Sequence, residues 1–312
     1  MRVLVTGSNG FIGAAMLRYA ADTRGADVVG VGRALRPEPA TGSLPYASAD
    51  LADPEATSSA LKALRPDVVI HAAARSDLDA CEAAPDLAWR DNLEATRVVA
   101  ACAAEVGARL VVLSTDCVFD GEAERLYTED DAPRPTSIYA ASKLASEHAA
   151  LALCPRTAVA RTATVFGTSH GGRDNAVTGL LRRLRASQRA TMATDQVRTP
   201  VLLDNLVEML WALAVDDTAG GIYHTVGATV LSRYELAVRV AERFGYDPSL
   251  IQPVLSAQLQ QSVFRPLRTP LATAKLRARF KDLSVLEVDA ALDRFADSLS
   301  APAVFGEGAA HG

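Results

Sequence analysis

The chain has 312 residues, of which 49% are apolar and 22% charged, a composition that excludes disordered, collagen-like and disulfide-scaffold proteins. A net charge of -5 argues against nucleic acid as a partner. No apolar run approaches the ~18 residues of a membrane span, so no membrane partner is expected. Met1 leads directly into RVLVTG without a signal-peptide pattern, which predicts a cytoplasmic protein. The four cysteines form no C-x-x-C pair, which predicts that their thiols are reduced. The five histidines lack the spacing of metal ligands, so no metal site is expected.

Apolar runs alternate with helical patterns through the first half of the chain. Strands are predicted at 2–6, 27–32, 67–74, 109–115 and 156–162, and helices at 11–23, 54–64, 86–106 and 138–153. This alternation predicts βαβ units, and the near-continuous apolar strands predict a parallel sheet covered on both faces. The segment 116–137 lacks periodicity and is predicted to be a long functional loop.

Helical stretches dominate after about residue 165. They are predicted at 174–188, 204–215, 232–244 and 284–299, with extended pieces near 190–193 and 221–226. The expected fold is therefore a doubly wound parallel α/β sheet with a smaller, mostly helical C-terminal lobe. The first lobe is predicted over 1–165, with 200–226 returning to it, the second over 166–300, and a flexible tail over 301–312.

The segment VTGSNGFIG places three glycines between the first strand and the first helix. Glycines at this spacing permit a tight turn, close backbone approach to a pyrophosphate and close helix–strand packing, and the helix N-terminus favours phosphate. The pattern indicates a Rossmann-type dinucleotide site. Its loop residues are Gly7, Asn9, Gly10, Phe11, Ile12 and Gly13.

Arg33 follows the second strand, where an acidic residue would bind the ribose of NAD. A cation at this position is suited to a 2′-phosphate, and Arg36 is near enough in sequence to contribute. NADP(H) is therefore the preferred cofactor and NAD(H) remains open. The alternative interpretation is that both arginines are solvated surface residues.

Tyr139 and Lys143 are four residues apart in YAASK, and so face the same side of the predicted helix. The ammonium is expected to lower the pKa of Tyr139 toward neutrality, as general acid–base catalysis at a carbonyl requires, and could also contact the nicotinamide ribose. The preceding strand ends at Ser114 and Thr115, at the sheet edge where ligands bind. Thr115 is favoured as a substrate contact, whereas Ser114 could equally be a strand-terminal turn residue.

Together these residues resemble the extended short-chain dehydrogenase/reductase family, and more closely its dTDP-4-dehydrorhamnose reductase branch. The resemblance runs from about residue 1 to 285 through TGSNGFIG, HAAARSDLDACE, STDCVFDG, YAASK, TDQVRTPV and FRPLRTPL. It implies that Thr115, Tyr139 and Lys143 are catalytic. The implied cofactor contacts also include Asp50, Leu51, Ala72, Ala73, Ala74, Asn92, Tyr139 and Lys143. The implied substrate contacts are Ser76, Asp116, Cys117, Val118, Asn175, Gln196 and Arg265.

The activity that the resemblance implies is NADPH-dependent reduction of a 4-keto group on a nucleotide-activated, dTDP-linked deoxysugar. Arg265 would suit the diphosphate of this nucleotide sugar, and a homodimer is left open. Cys117 replaces the Tyr usual in this branch, which suggests a different or larger sugar, and the absence of a carboxylate after Asp116 disfavours dehydration.

Two alternatives remain open. One is a nucleotide-sugar 4-epimerase, which Arg33 disfavours. The other is a non-catalytic NADP-binding subunit similar to the regulatory β subunit of methionine adenosyltransferase. The intact Thr115, Tyr139 and Lys143 favour an enzyme over this second alternative.

Overall fold

The computed structural model describes residues 1–35, 42–170, 174–259 and 261–300, so Arg36 and the predicted tail at 301–312 lie outside the described residues. The strands are β1 (Arg2–Thr6), β2 (Asp27–Gly32), β3 (Tyr46–Ser48), β4 (Val68–His71), β5 (Arg109–Thr115), β6 (Thr157–Thr162), β7 (Val165–Phe166), β8 (Ala190–Ala193), β9 (Val197–Arg198), β10 (Val201–Leu202), β11 (Gly221–His224), β12 (Leu231–Ser232) and β13 (Ile251–Val254).

The helices alternate with these strands. They are α1 (Phe11–Arg18), α2 (Pro54–Leu64), α3 (Leu78–Ala83), α4 (Pro85–Ala88), α5 (Ala95–Glu105), α6 (Ile138–Leu153), α7 (Ala176–Arg185), α8 (Leu203–Val215), α9 (Arg233–Arg243), α10 (Ala274–Arg279) and α11 (Val288–Ser300). One π-helical segment, Tyr19–Thr23, continues α1, and a second, Trp89–Glu94, joins α4 to α5. Short 3₁₀ turns lie at Asp116–Val118, Pro248–Leu250 and Ser256–Gln258.

Seven strands form the central sheet in the order β11-β6-β5-β4-β1-β2-β3. Every neighbouring pair in this sheet is parallel. Strands β2 and β3 lie on one side of β1, and the strands from β4 onward lie on the other side. The strand order therefore reverses at β1, beside the Gly-rich loop that follows it. Ligands of such sheets bind at this switch point. The predicted doubly wound Rossmann-type fold is confirmed.

Side chains alternate between two apolar layers because successive strand residues point to opposite faces of the sheet. In β1, Val3 and Val5 pack in the cluster that includes α1 and α8 side chains, whereas Leu4 packs in the cluster that includes α2 and α5. All three residues are completely buried. Helices on both faces therefore hold the strand ends, and the loops that follow them, in a rigid frame.

Helix α6 begins where a local capping interaction places it. The Ser137 hydroxyl accepts a hydrogen bond from the Ala140 N–H at 3.2 Å, so one of the unpaired N–H groups of the first turn gains a partner. Tyr139 consequently lies in the first turn of α6 and Lys143 one turn later.

A third apolar cluster forms around α7, α9 and α11, together with the parallel pair β8 and β13. Strand β11 pairs with β6 at the edge of the central sheet, and α8 packs against α1. The predicted lobe boundaries at 165 and 300 stay predictions. No helix within the described ranges has both the length and the apolar character needed to cross a membrane.

Candidate active site

A cleft of about 360 Å³ opens where β1, β2 and β4 end. Its lining includes Gly7, Asn9, Gly10, Arg33, Asp50, Leu51, Ala72, Ala73 and Ala74, together with Gly32, Ala34 and Asp91. The sequence analysis singled out the first nine of these residues, and the fold brings them together.

The Gly-rich loop leaves room for a dinucleotide because its glycines lack the side chains that would otherwise fill the turn. Gly7 has a φ of +65°, and a Cβ there would lie 2.7 Å from the Ala73 backbone. A Cβ on Gly13 would overlap the Gly7 carbonyl. Phe11 and Ile12 open α1 and pack partly against the core, so the first N–H groups of the helix face the loop region that a phosphate can occupy.

One end of the cleft carries a charged cluster centred on Asp91. The Asp91 carboxylate pairs with Arg33 at 3.1 Å, Arg75 at 3.0 Å and Arg90 at 3.2 Å. Arg90 also pairs with Asp50, whose pKa lies below its ordinary value: burial acts to raise it, and the bonds to Arg90 and the Ala52 N–H together outweigh that. Sequence reasoning found Arg33 and Asp50 but missed the others, because nothing in the helical pattern marked the π-helical segment that holds Arg90 and Asp91.

Thr115 and Tyr139 form the reactive end of the site. Thr115 ends β5, and its Oγ1 accepts a hydrogen bond from the Cys117 N–H at 3.1 Å. Burial strongly raises the pKa of Tyr139; the Cys117 and Asp116 side chains add to this, while interaction with Thr115 opposes it. The prediction that the pKa of Tyr139 is lowered is therefore wrong, because desolvation of the phenolate outweighs the other effects.

Lys143 lies one turn beyond Tyr139 and is 3% exposed. Burial lowers its pKa to about 8, although the Glu147 carboxylate acts in the opposite direction. No hydrogen bond from its ammonium group is found to any residue that the structure describes. The group is thus a desolvated cation with donors available to a ligand hydroxyl.

Buried polar groups behind Lys143 fix α6 against the sheet. The Ser114 hydroxyl donates to Glu147 Oε1, so Ser114 is turned toward α6 and not toward a ligand. Arg161 donates to both Glu147 oxygens, at 2.9 and 2.7 Å. Asn92 is completely buried, accepts from the Arg75 N–H at 2.7 Å and donates to Ser142 at 2.9 Å. Asn92 thus ties the Arg75 backbone to α6, and its contact with the cofactor stays a prediction.

The residues that follow Thr115 are mostly withdrawn from solvent. Asp116 is 4% exposed, lies 2.9 Å from Arg198 Nε and accepts a hydrogen bond from Thr269. Cys117 is partly exposed, and burial followed by the Asp116 charge raises the pKa of its thiol to about 12. Val118 is completely buried in an apolar cluster with Phe119, and its contact with substrate stays a prediction.

The remaining predicted substrate residues occupy different settings. Ser76 is exposed beyond β4. Asn175 caps α7, accepting from the Val177 N–H at 3.1 Å and donating to the Gly167 carbonyl at 2.7 Å. Gln196 is 2% exposed and donates to Gln261 at 3.1 Å. These intrachain bonds use the polar groups of Asn175 and Gln196, and their contact with a substrate stays a prediction.

Arg265 pairs with Asp79 at 3.2 Å, and its buried Nε has no hydrogen-bond partner among the residues that the structure describes. Sequence reasoning missed Arg233, which lies at the start of α9. Burial, together with the charges of Arg265 and Arg198, lowers the pKa of Arg233. Its guanidinium has no counter-charge among the described residues. Those residues also hold no group of three or more side chains suited to a metal ion.

With its parallel sheet and Gly-rich cleft, the protein is an oxidoreductase of the extended short-chain dehydrogenase/reductase class. The chain belongs to the RmlD substrate binding domain family, whose model matches residues 1–300. The predicted resemblance to the dTDP-4-dehydrorhamnose reductase branch is confirmed.

Three relatives place the chain within this family. It is 35% identical over 277 residues to the dTDP-4-dehydrorhamnose reductase of Mycobacterium tuberculosis, which covers 87% of this chain and 85% of that one. It is 30% identical over 281 residues to methionine adenosyltransferase 2 subunit beta of Rattus norvegicus, with 88% and 81% covered. The structure of dTDP-4-dehydrorhamnose reductase from Bacillus anthracis in complex with NADP matches with a TM-score of 0.84 and 25% identity, over 95% of this chain and 99% of that chain.

Proposed function

We propose that this chain uses NADPH to reduce the 4-keto group of a nucleotide-activated, dTDP-linked deoxysugar. The observation that carries the proposal is the grouping of Thr115, Tyr139 and Lys143, whose buried ammonium has no hydrogen-bond partner among the described residues. Lys143 also acts electrostatically on His71, the last residue of β4, and the alanines directly after His71 line the Gly-rich cleft. The names of the Mycobacterium tuberculosis and Bacillus anthracis relatives support the substrate class, and the NADP bound to the latter supports the cofactor.

Bound NADPH would supply the hydride. The side chains of the protein would bind the carbonyl oxygen of the substrate and donate a proton to it. The hydroxyls of Thr115 and Tyr139 would hold the carbonyl oxygen. Because the pKa of Tyr139 is raised, its phenol is protonated at neutral pH and can donate to the oxygen as negative charge develops. The Lys143 ammonium would then stabilise the phenolate.

Elimination of water is disfavoured because it needs a further acid and base beside the same sugar. The Asp116 carboxylate is held by Arg198 and Thr269. The Cys117 thiol stays protonated at neutral pH because its pKa is about 12. These two side chains therefore offer no free acid–base pair, which supports a reductase.

Positive charge in the second part of the chain supports an anionic nucleotide. Arg198 and Arg265 each have a carboxylate partner, whereas Arg233 has none in the part of the chain described. Arg198 and Arg233 line the same cavity, and Arg198 donates a hydrogen bond to the Pro266 carbonyl, directly after Arg265 in the chain. A diphosphate would supply the missing negative charge and accept hydrogen bonds from guanidinium groups.

The direct test measures NADPH oxidation with a panel of nucleotide-linked 4-ketosugars. We expect turnover with dTDP-linked sugars and weaker or no turnover when the nucleotide is changed. Tyr139→Phe removes only the hydroxyl and serves as the inactive reference. Absence of oxidation across the panel, with NADPH still bound, would contradict the proposed reduction.

The similarity to the rat β subunit favours one competing function, that of a non-catalytic NADP-binding subunit. It predicts that the chain captures a methionine adenosyltransferase catalytic subunit and turns over no ketosugar. The proposed reductase predicts the opposite pair of results, so a pull-down performed beside the turnover assay separates the two.

A further inference from the structure

Two guanidinium groups meet on a single oxygen of Asp91 at the glycine cleft. Arg33 Nη1 lies 3.1 Å from Asp91 Oδ1, and Arg90 Nη1 lies 3.2 Å from the same atom. The Asp91 side chain is 7% exposed, against 60% for Arg33 and 42% for Arg90. The carboxylate is therefore buried beneath two guanidinium heads that still reach solvent.

The third arginine of the cluster has a different setting. Arg75 directs both Nε and Nη2 toward Asp91 Oδ2, at 3.3 and 3.0 Å, and its side chain is 26% exposed. It thus occupies the second carboxylate oxygen and neutralises Asp91 from the inner side. Arg33 contacts Asp91 through Nη1 alone. Arg90 contacts Asp91 through Nη1 and Asp50 through Nη2, and each of these two nitrogens carries a second N–H that remains for another acceptor.

The π-helical segment Trp89–Glu94 makes this arrangement possible. Successive residues of an α-helix point about 100° apart, so neighbours seldom serve one site. Here Arg90 contacts Asp50, Asp91 contacts Arg33, and Asn92 contacts the Arg75 backbone, although the three are consecutive. π-Helical turns are frequent at functional sites.

Charge also favours an anion at this position. Three guanidinium groups share the two carboxylates of Asp50 and Asp91, which leaves the cluster cationic in a chain of net charge -5. A phosphate monoester carries a charge of about -1.5 to -2 at pH 7 and has three acceptor oxygens. Guanidinium forks match such oxygens better than an ammonium does.

We infer that Arg90 binds the 2′-phosphate of the dinucleotide together with Arg33, and that Asp91 is the positioning residue that brings their guanidinium groups together. The inference rests on the NADPH dependence of the proposed function. The preference for NADP over NAD would thus depend on two arginines, Arg33 directly after β2 and Arg90 in the π-helical segment that follows β4.

The test measures binding of two nicotinamide-free probes by calorimetry, adenosine 2′,5′-bisphosphate and adenosine 5′-monophosphate. The ratio of their dissociation constants isolates recognition of the 2′-phosphate from general binding to the cleft. In Arg90→Gln we expect the preference for the bisphosphate to fall about 10-fold or more, because charge-assisted hydrogen bonds contribute about 1.5–3 kcal/mol. Monophosphate affinity should stay within about 3-fold, which is under 0.7 kcal/mol.

Three variants complete the experiment. Arg33→Gln should reduce the same ratio, and Arg97→Gln, an exposed arginine of α5 paired with Glu94, should leave it unchanged. Arg90→Lys keeps the positive charge but loses the forked guanidinium, so it should retain part of the preference for the bisphosphate. A partial preference in this variant would show that the loss in Arg90→Gln does not merely reflect disturbed folding.

Asp91→Asn separates positioning from simple charge. Removal of a negative charge would by itself strengthen phosphate binding, whereas loss of the shared carboxylate separates Arg33 from Arg90. We expect a lower preference, and a higher one would overturn the role of Asp91. An unchanged ratio in Arg90→Gln would overturn the role of Arg90 and leave the proposed reductase intact. If the unsubstituted protein shows no preference for the bisphosphate, NADPH dependence itself fails.

Discussion

Glu147 lies one helical turn beyond Lys143 on α6, and its carboxylate is the charge that opposes the lowering of the Lys143 pKa. Glu147 is completely buried and receives two hydrogen bonds from Arg161, which is itself 1% exposed. The Glu147 carboxylate therefore both neutralises the buried Arg161 guanidinium and helps to keep the Lys143 ammonium protonated.

Glu147→Gln should destabilise the protein by about 3–5 kcal/mol, because it leaves the Arg161 guanidinium buried without its counter-charge. Urea unfolding followed by circular dichroism measures the change. Glu105→Gln is the matched control, since Glu105 pairs with Lys62 on the surface and should cost less than about 1 kcal/mol. Equal unfolding midpoints for the two variants would contradict the structural role given to Glu147.

The pH dependence of kcat should reflect Lys143. Its pKa is about 8, lowered from an ordinary value of 10.5, and the protonated form is the active one because it stabilises the phenolate. Activity should therefore be constant below this pKa and fall as pH rises through it. Lys143→Arg keeps a cation at high pH and should lose the alkaline limb, even if its maximal rate is lower. An alkaline limb at the same pH in both proteins would assign it to another group.

Tyr139→Phe should lower kcat by about 10²–10⁴-fold, the usual contribution of a general acid, while the dissociation constant for NADPH stays the same. Stopped-flow turnover and fluorescence titration measure the two quantities. Tyr234→Phe on α9 is a control outside the site and should be fully active. Turnover of Tyr139→Phe at the rate of the unsubstituted protein would remove Tyr139 from the mechanism.

Local spacing was sufficient to predict much of the cofactor side of the site. Gly7 and Gly10 lie between the predicted first strand and first helix, which the structure contains as β1 and α1. Tyr139 and Lys143 lie on one face of α6 because they are four residues apart. Such features depend on neighbours within a few residues, so the sequence displays them directly. The parallel direction of the strands also follows from alternation of strand and helix.

Contacts between distant segments could not be predicted in this way. The burial of Asp116 depends on Arg198 and Thr269, which lie far along the chain, and the Arg90 and Asp91 pair depends on a π-helical turn without a sequence signature. The pKa of Tyr139 was misjudged for the same reason, since burial by the assembled protein outweighs a local charge. Two-residue strands such as β7 and β10 are too short to show periodicity.

Arg233→Gln should weaken binding of dTDP without lowering stability. The guanidinium is half-buried, its pKa is lowered by burial and by Arg265 and Arg198, and it has no anionic partner among described residues, so charge removal relieves a cost of folding. Loss of a charge-assisted phosphate contact should raise the dissociation constant about 10-fold. Calorimetric titration and thermal unfolding measure the two effects. Arg239→Gln on the same helix removes only a surface pair with Asp289 and should alter neither. Undiminished dTDP affinity in Arg233→Gln would show that the unpaired cation serves something other than the diphosphate.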